Sequence, residues 1–422
     1  MRLAADRPGG EPLVSRTAAL PEVPDLIAHL PAAGGVAWIR GGDGFVGWGE
    51  AVRVPVGTGP DRFARAARTV AGLLGDSEVH NEVGGWGTGP LAFGSFAFDD
   101  AAAASDLVVP AVVIGSAGGR AWVTRTGLGA VPEAEDVETP AVSRPVLAAG
   151  VLDEAGALDE ASFTRAVEAA REAIRAGRLD KVVLSLQVLA TSGTPFDQRR
   201  VLRHLAANYP QCYTFAFQSF LGASPELLVR REGRSVRSQP LAGSSRRGAT
   251  PDEDRELGAR LLASRKDRWE HDLAVVTVVE ALHPLCRTLR IEPEPSLLRL
   301  ANVQHLATEV AGELSAGPLP TALGIAGAVH PTAAVCGTPS RKALSVIREL
   351  EGPHRGRYAG PVGWVDAGGD GEWAIALRCA ELSGSTARLF AGCGIVSESD
   401  PAAELDEARL KLRPIRSALG IA

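Results

Sequence analysis

The chain has 422 residues, 45% of them hydrophobic and 22% charged, which is ample for a large folded core and too apolar for a disordered chain. A formal net charge of −6 without any long Lys/Arg run argues against a nucleic-acid or anionic-membrane partner, since either needs a basic surface. No run of about 18 apolar residues occurs, the N-terminus has no apolar leader core, and Cys212, Cys286, Cys336, Cys379 and Cys393 show no Cys-x-x-Cys spacing, so a cytoplasmic chain with reduced thiols, no membrane span and no cysteine metal site is expected.

Residues 1 to about 128 carry short apolar or alternating runs broken by glycine. Val36 to Arg40, Phe45 to Glu50, Leu91 to Phe98 and Leu107 to Ile114 read as strands, and Phe63 to Leu74 as a helix. No catalytic constellation is visible there, and the expected role is scaffold. Gly129 to Gly150 shifts to Pro, Ala and acidic residues, which predicts a loop and an internal boundary between a β-rich part, 1–150, and the remainder, 151–422.

A helix is predicted over Glu160 to Ala176, with Phe163, Val167, Ala170 and Ile174 on one face and Gly177 just past its end. It leads into Lys181-Val-Val-Leu-Ser-Leu-Gln-Val-Leu, a strand by its β-branched content, with Lys181 at its mouth. Tyr213 to Phe220 and Glu226 to Arg230 read as strands separated by Leu221-Gly-Ala-Ser-Pro225, so Glu226 opens a strand after a tight turn. Gln239 to Ser245 reads as a small-residue loop whose backbone can approach a ligand closely. Thr250-Pro-Asp-Glu253 is a capping box that starts one long helix carrying Lys266 and Glu270 a turn apart. Gln304 to Thr308 reads as a strand, His330 to Pro339 as an irregular loop, Lys342 to Leu350 as a helix and Tyr358 to Val365 as the return to the final segment.

Chemistry concentrates between Gly371 and Lys411. Two apolar runs, Trp373 to Cys379 and Ala387 to Ile395, flank a Ser-Gly-Ser turn, the pattern of two adjacent strands. Asp400 as N-cap and Pro401 as first residue then start a helix. Glu404, Glu407 and Lys411 fall at i, i+3 and i+7 and leave one face, although such spacing by itself usually marks only a solvated helix face. Arg378 lies within an otherwise apolar run. An unpaired buried guanidinium is costly, so it needs an anionic partner, from protein or from ligand.

Nine stretches, DKVVLS, ASPELLVR, PLAGSSRRG, LLASRKDRWEHDL, HLATEVAG, HPTAAVCGTP, RYAGPVGWVD, GEWAIALRCAEL and LFAGCGIVSESDP, occur in this order between about residues 155 and 411. Together with Lys181, Glu226, Glu270, Glu404 and Glu407 they resemble the chorismate-utilising enzymes built on the anthranilate synthase component I fold, and within that family the isochorismate synthases. The ammonia-using members lack a lysine at the position of Lys181. The salicylate synthases have it but differ from the HLAT and HPTxAVCG wording present here. The resemblance implies an α/β (α+β) fold in which two antiparallel sheets pack face to face, with helices outside and the site in a cleft between the sheets.

It also implies a reaction: chorismate becomes isochorismate by addition of water at C2 and loss of the C4 hydroxyl. Lys181 is then the base that deprotonates water and Glu226 the acid that protonates the departing hydroxyl. The lysine must fall from ~10.4 to roughly 7–8 to act at neutral pH, by desolvation or nearby Mg2+. The glutamate must rise, by burial and neighbouring carboxylates. Glu270, Glu404 and Glu407 form an all-oxygen set suited to Mg2+, with Glu404 acting through water, although Glu270 could merely pair with Lys266.

Arg378 and Lys411 are the expected partners of the two chorismate carboxylates, with Tyr358 beside Arg378. Gly243, Ser244 and Gly392 are expected along the substrate, and His305 orients it unless it is a core histidine. Water as nucleophile requires no glutamine amidotransferase partner, and a monomer or weak homodimer is expected. The competing readings are a salicylate synthase, which goes on to eliminate pyruvate, and a non-catalytic chorismate-binding paralogue, which would have lost the Lys181/Glu226 pair. Two positions depart from the family: Ala408, where Thr is common, and Leu186, where Arg is common. The sequence leaves open whether the product serves menaquinone or siderophore synthesis.

Overall fold

Apolar and alternating runs of β-branched residues assemble into two large sheets and a small one in a computed structural model that describes residues 11–102, 105–132, 152–155 and 159–421. The larger sheet has 13 strands. Across it lie Leu152–Ala155, Lys181–Thr191, Thr386–Ile395, Cys379–Ser383, Phe220–Ser224 and Tyr213–Phe217, followed by N-terminal strands beginning with Val36–Arg40 and Asp43–Trp48. The second sheet has nine strands and carries Leu227–Glu232, Gly371–Ile375, Pro361–Asp366 and Leu91–Ser95 at its centre. Leu241–Arg246, Val303–Ala307 and Ser296–Arg299 form the third. Among the described residues every pairing is antiparallel except that of Leu13–Leu20 with Glu78–Asn81.

The two large sheets meet through aromatic side chains. Phe45 of the larger sheet stands edge-on to Phe93 and Trp364 of the second, each with centroids 5.2 Å apart. Such rings dominate core burial, at about 2–3 kcal/mol for each fully enclosed side chain. N-terminal strands belong to both sheets: Val36–Arg40 pairs with Tyr213–Phe217, and Leu91–Ser95 with Pro361–Asp366. Most of the predicted boundary loop, residues 133–150, lies outside the described residues.

Several predicted elements divide where the chain changes direction or sheet. Leu107 to Ile114 is two strands, Asp106–Val109 in the second sheet and Val112–Ala117 in the larger, parted at Pro110, which has no N–H for a ladder. Tyr213 to Phe220 is a hairpin turning at Gln218, whose φ is +57°, so Leu221 to Ser224 is strand rather than turn. Gln239 to Ser245 is not a loop; it is the end of Ser235–Gln239 and most of Leu241–Arg246, on either side of Pro240. The long helix is two, Pro251–Ala263 and Arg265–Leu282, because Ser264 is extended and caps the second through the Asp267 N–H. Trp373 to Cys379 is not one strand of a hairpin: Gly371–Ile375 ends in the second sheet and Cys379–Ser383 begins in the larger. In the strands the breaks fall among residues buried on both faces, which lack the alternation that would have shown them.

The C-terminal helix Pro401–Leu419 is capped as predicted, Asp400 accepting from Ala403 N–H, and packs on Thr386–Ile395. No described helix is long and apolar enough to cross a membrane.

Candidate active site

Twice the chain passes between the two large sheets at one place. It leaves the larger sheet after Ser224 and returns to it at Cys379, and the crossings are bonded to each other. Ser224 Oγ donates to Ile375 O at 2.5 Å, Ile375 N–H donates to Glu226 O at 3.1 Å, and Ala223 N–H donates to Arg378 O at 3.3 Å. Glu226 and Arg378 are thereby fixed at the seam. Arg378 has φ +50°, a left-handed conformation that an arginine adopts at a cost of about 1–2 kcal/mol.

A cleft of roughly 730 Å³, open solvent included, begins at this seam and reaches the C-terminal helix. Of the residues singled out in the sequence, Glu226, Gly243, Ser244, Glu270, His305, Tyr358, Arg378, Gly392, Glu404, Glu407 and Lys411 line it. Among the described residues no lining position precedes Val183. Lys181 is the exception: it is fully buried and does not line the cleft, and its Nζ lies 2.8 Å from Glu270 Oε1, so Glu270 forms the wall there. A Cβ at Gly394 would come within 2.9 Å of Lys181 Cε and 2.5 Å of Glu270 Oε1, so the absent side chain leaves room for both.

Glu226 is 2% exposed, and burial pushes its carboxyl up to about 7 despite the Leu241 N–H at 3.4 Å and the charges of Arg378, Lys181 and Lys411. Burial acts as expected, but the expected help from neighbouring carboxylates is not found: the charged neighbours are cations, which oppose the shift, and desolvation overcomes them. Beside it, Arg378 Nη2 donates to His305 Nε2 at 3.1 Å. Arginine can only donate, so His305 carries its proton on Nδ1, 2.9 Å from Ser244 Oγ. Burial, then the charge of Arg378, holds His305 well below its ordinary value, which keeps the ring neutral. Arg378 Nε is buried with no hydrogen-bond partner among the described residues, a donor left for an anionic ligand.

Tyr358 is buried and stacks on Phe390 with centroids 5.4 Å apart. A Cβ at Gly392 would lie 2.9 Å from the Tyr358 hydroxyl, so Gly392 supplies room there. Its carbonyl accepts from Lys411 Nζ at 3.1 Å. Lys411 is also 2.5 Å from Glu407 Oε1, so part of its charge is already used by protein. Gly243 has φ +72° within a bulge, and a Cβ there would meet Asp267 Cβ at 3.0 Å; glycine lets the helix start approach the strand.

At the other end, burial and then the neighbouring Glu407 push Glu404 up to about 7. Burial would also raise Glu270, but the Lys181 charge, with Lys411 and Lys266, outweighs it and lowers the carboxyl. Among the described residues, Asp267, Glu270, Glu404 and Glu407 share this end with Lys181, Lys266 and Lys411, four acidic side chains against three lysines. That surplus suits a divalent cation with oxygen ligands. Glu404 and Glu407 lie close together, with ligand atoms within 4.8 Å of each other and of Cys393 Sγ, whereas Glu270 is held apart by Lys181. Cys393 Sγ donates to Glu404 O at 3.2 Å and burial keeps the thiol protonated. The pairing of Glu270 with Lys266 is not found; Lys266 lies 3.8 Å from Glu404 instead.

Asp267 extends the set beyond the residues singled out, as do the apolar lining residues Val183, Leu241, Val335 and Leu377, and Lys266, expected only as a partner of Glu270, lines the cleft as well. Asp267 lies three residues before Glu270 on one helix face, a spacing that could have suggested it. The apolar wall carries no signal, because those residues look like any core position.

Residues 40–420 match the family described as chorismate binding enzymes. The isochorismate synthase MenF of Bacillus subtilis is 36% identical over 79% of this chain and 75% of its own length. The isochorismate synthase DhbC of the same organism is 43% identical over 61% of this chain and 68% of its own. Among solved structures, the 2,3-dihydroxybenzoate-specific isochorismate synthase DhbC of Bacillus anthracis, itself described as putative, superposes with TM-score 0.78 at 31% identity, covering 94% of this chain and 99% of that one. Anthranilate synthase component I of Streptococcus pneumoniae, at 22% identity and TM-score 0.65, shares the fold. A match running through both large sheets to the end of the C-terminal helix places this chain in the chorismate-binding enzyme family.

Proposed function

We propose that this chain is an isochorismate synthase, isomerising chorismate to isochorismate. The observation that carries the reading is Glu226, a carboxyl pushed up to about 7 by burial on the wall of a cleft whose neighbouring Arg378 has a buried donor to spare. A group near neutrality is suited to giving a proton to a departing hydroxyl at pH 7. The similarity to enzymes named isochorismate synthases supports the substrate.

In this reading the Arg378 guanidinium takes the enolpyruvyl carboxylate, with His305 holding the guanidinium plane and Tyr358 beside it. Water oxygen bonds to C2 and its proton passes to the Lys181 amine; the ring double bonds shift; the C4–O bond breaks; and the hydroxyl leaves as water with the proton of Glu226. Atoms balance as an isomerisation, and solvent exchange resets the two groups. Glu404 and Glu407, with Glu270, would hold Mg2+, which when bound supplies positive charge for the ring carboxylate. Lys411 holds Glu407 and adds a second positive charge at that end.

The test is to incubate purified protein with chorismate and Mg2+ and separate the products by chromatography. Isochorismate alone is expected. Salicylate with pyruvate would assign the lyase reading instead, and binding without turnover would assign a non-catalytic paralogue.

A further inference from the structure

The strand that begins with Lys181 is held by several different segments along one of its edges. Thr386–Ile395 covers one edge along residues 182–191. On the other edge Gly337–Thr338 pairs with Lys181 and Val182, and Leu152–Ala155 pairs with Val188 to Thr191. Next along that edge the Val183 N–H donates to Cys336 O at 2.9 Å, a contact from a loop rather than a strand. Two buried side chains serve the same stretch. Glu351 Oε1 accepts from the Ser185 N–H at 2.8 Å and Oε2 from the Ser185 hydroxyl at 2.7 Å. Arg355 Nη2 donates to Val183 O at 2.8 Å, and Nη1 donates to Val335 O at 3.0 Å. The two side chains also pair with each other, Arg355 Nε donating to Glu351 Oε2 at 3.0 Å, and both are buried, 4% and 1% exposed.

A buried ion pair is a poor device for stability alone, since apolar side chains of the same volume often do as well. The bonds of this pair end on backbone that matters to the cleft. Val183 and Val335 line it from two different segments, and Val183 stands two residues from Lys181 on the same strand. We propose that the Arg355–Glu351 pair is a positioning clamp for the reaction, holding Lys181 and the Val183/Val335 wall in one fixed relation to the substrate. The clamp rests on the function proposed above. Arg355 and Glu351 do not line the cleft, so their effect passes through the strand and the loop that they join. Arg378 at the seam, His305 in the small sheet, and Glu404 and Glu407 on the C-terminal helix sit elsewhere, while Tyr358 meets Arg355 through its own N–H on the Arg355 carbonyl, and Glu270 is tied to Lys181.

Arg355→Lys keeps a charge for Glu351, but one ammonium on a flexible stem cannot replace a planar fork joining two carbonyls. With chorismate and Mg2+, and with rates referred to the folded fraction measured by circular dichroism, kcat is expected to fall at least 10-fold. KM for chorismate should stay within about 3-fold, because Arg378 and His305 are untouched and the Tyr358 N–H keeps its backbone partner. Methylguanidinium added to Arg355→Ala should restore part of kcat. If Arg355→Lys fails to fold, Glu351→Gln, which keeps shape and an oxygen for the Ser185 N–H, should show the same split with a smaller fall. Activity that merely tracks the folded fraction, or KM rising at constant kcat, would overturn the clamp while leaving the function standing. A wild-type protein that does not turn chorismate over would overturn the function, and the clamp with it.

Discussion

Lys181 Nζ stands 2.8 Å from Glu270 Oε1, with the lysine wholly enclosed and the glutamate side chain 16% exposed. The pair joins the first residue of the strand Lys181–Thr191 to a helix on the cleft wall, and so ties the proposed base to a proposed cation ligand. With Glu270 between its amine and the cleft, Lys181 meets water there only when that carboxylate turns to another positive partner, which couples the two ends of the site.

Lys181→Ala is therefore expected to act twice. Loss of a general base lowers turnover by about 10²–10⁴, while chorismate still binds through Arg378. Leaving Glu270 without its partner costs about 3 kcal/mol, the lower end for a broken buried pair because Glu270 is not fully enclosed. Urea denaturation should show this loss, and Glu270→Gln added to Lys181→Ala should recover much of it without recovering turnover. Near wild-type rates in Lys181→Ala would remove Lys181 from the chemistry.

Glu226 sets the alkaline limit. Its carboxyl, at about 7 in the folded chain against an ordinary value of 4.5, is protonated below pH 7 and ionised above it, so the rate should fall as pH rises through about 7. The same shift acts on stability. Because the folded state binds the proton more tightly, the contribution is full below about 4.5 and is lost as pH rises through about 7. Glu226→Gln should abolish turnover, retain substrate binding, and flatten that part of the stability profile. A wild-type alkaline limb preserved in an active Glu226→Gln would rule the assignment out.

Much of the site is legible in sequence because its chemistry needs charged residues where apolar ones are the rule. Arg378 stands out in an apolar run, while Glu404, Glu407 and Lys411 share a helix face whose spacing by itself marks only a solvated surface, so that they, with Lys181, Glu226 and Glu270, gain a role only through the resemblance. Their meeting with Arg378 is not legible, since nothing in Trp373 to Cys379 shows that the chain changes sheets there. The left-handed φ that makes this possible occurs at an arginine, a residue that carries no such expectation. Lys181 was placed at a strand mouth, as found, but its enclosure behind Glu270 depends on a helix from a distant part of the chain. The N-terminal strands were visible as strands; their membership of both sheets was not, because pairing between distant segments leaves no local pattern.

Cation binding should release protons. Glu404, at about 7 in the ion-free site, is half protonated at pH 7, and a carboxylate ligand must be ionised. Titration calorimetry with Mg2+ in two buffers of different ionisation enthalpy should show proton release at pH 7 that shrinks as pH is raised. Glu407→Gln should weaken Mg2+ by about 10-fold or more and reduce the release, because Glu407 is a cause of the shift on Glu404. Binding without any proton release would exclude Glu404 as a ligand, direct or through water.

Arg378 allows backbone strain to be separated from ligand contact. Arg378→Ala and Arg378→Gly both remove the guanidinium, and each should raise KM for chorismate by about 10- to 150-fold, the worth of charge-assisted hydrogen bonds at ~1.5–3 kcal/mol. Only glycine relieves the φ of +50°. Arg378→Gly should thus be more stable than Arg378→Ala by about 1 kcal/mol in denaturant unfolding while matching it in KM. If the two variants differ in KM as much as in stability, the arginine acts by shaping the seam where the chain crosses between sheets, and the carboxylate must be held by Lys411 and Tyr358 instead.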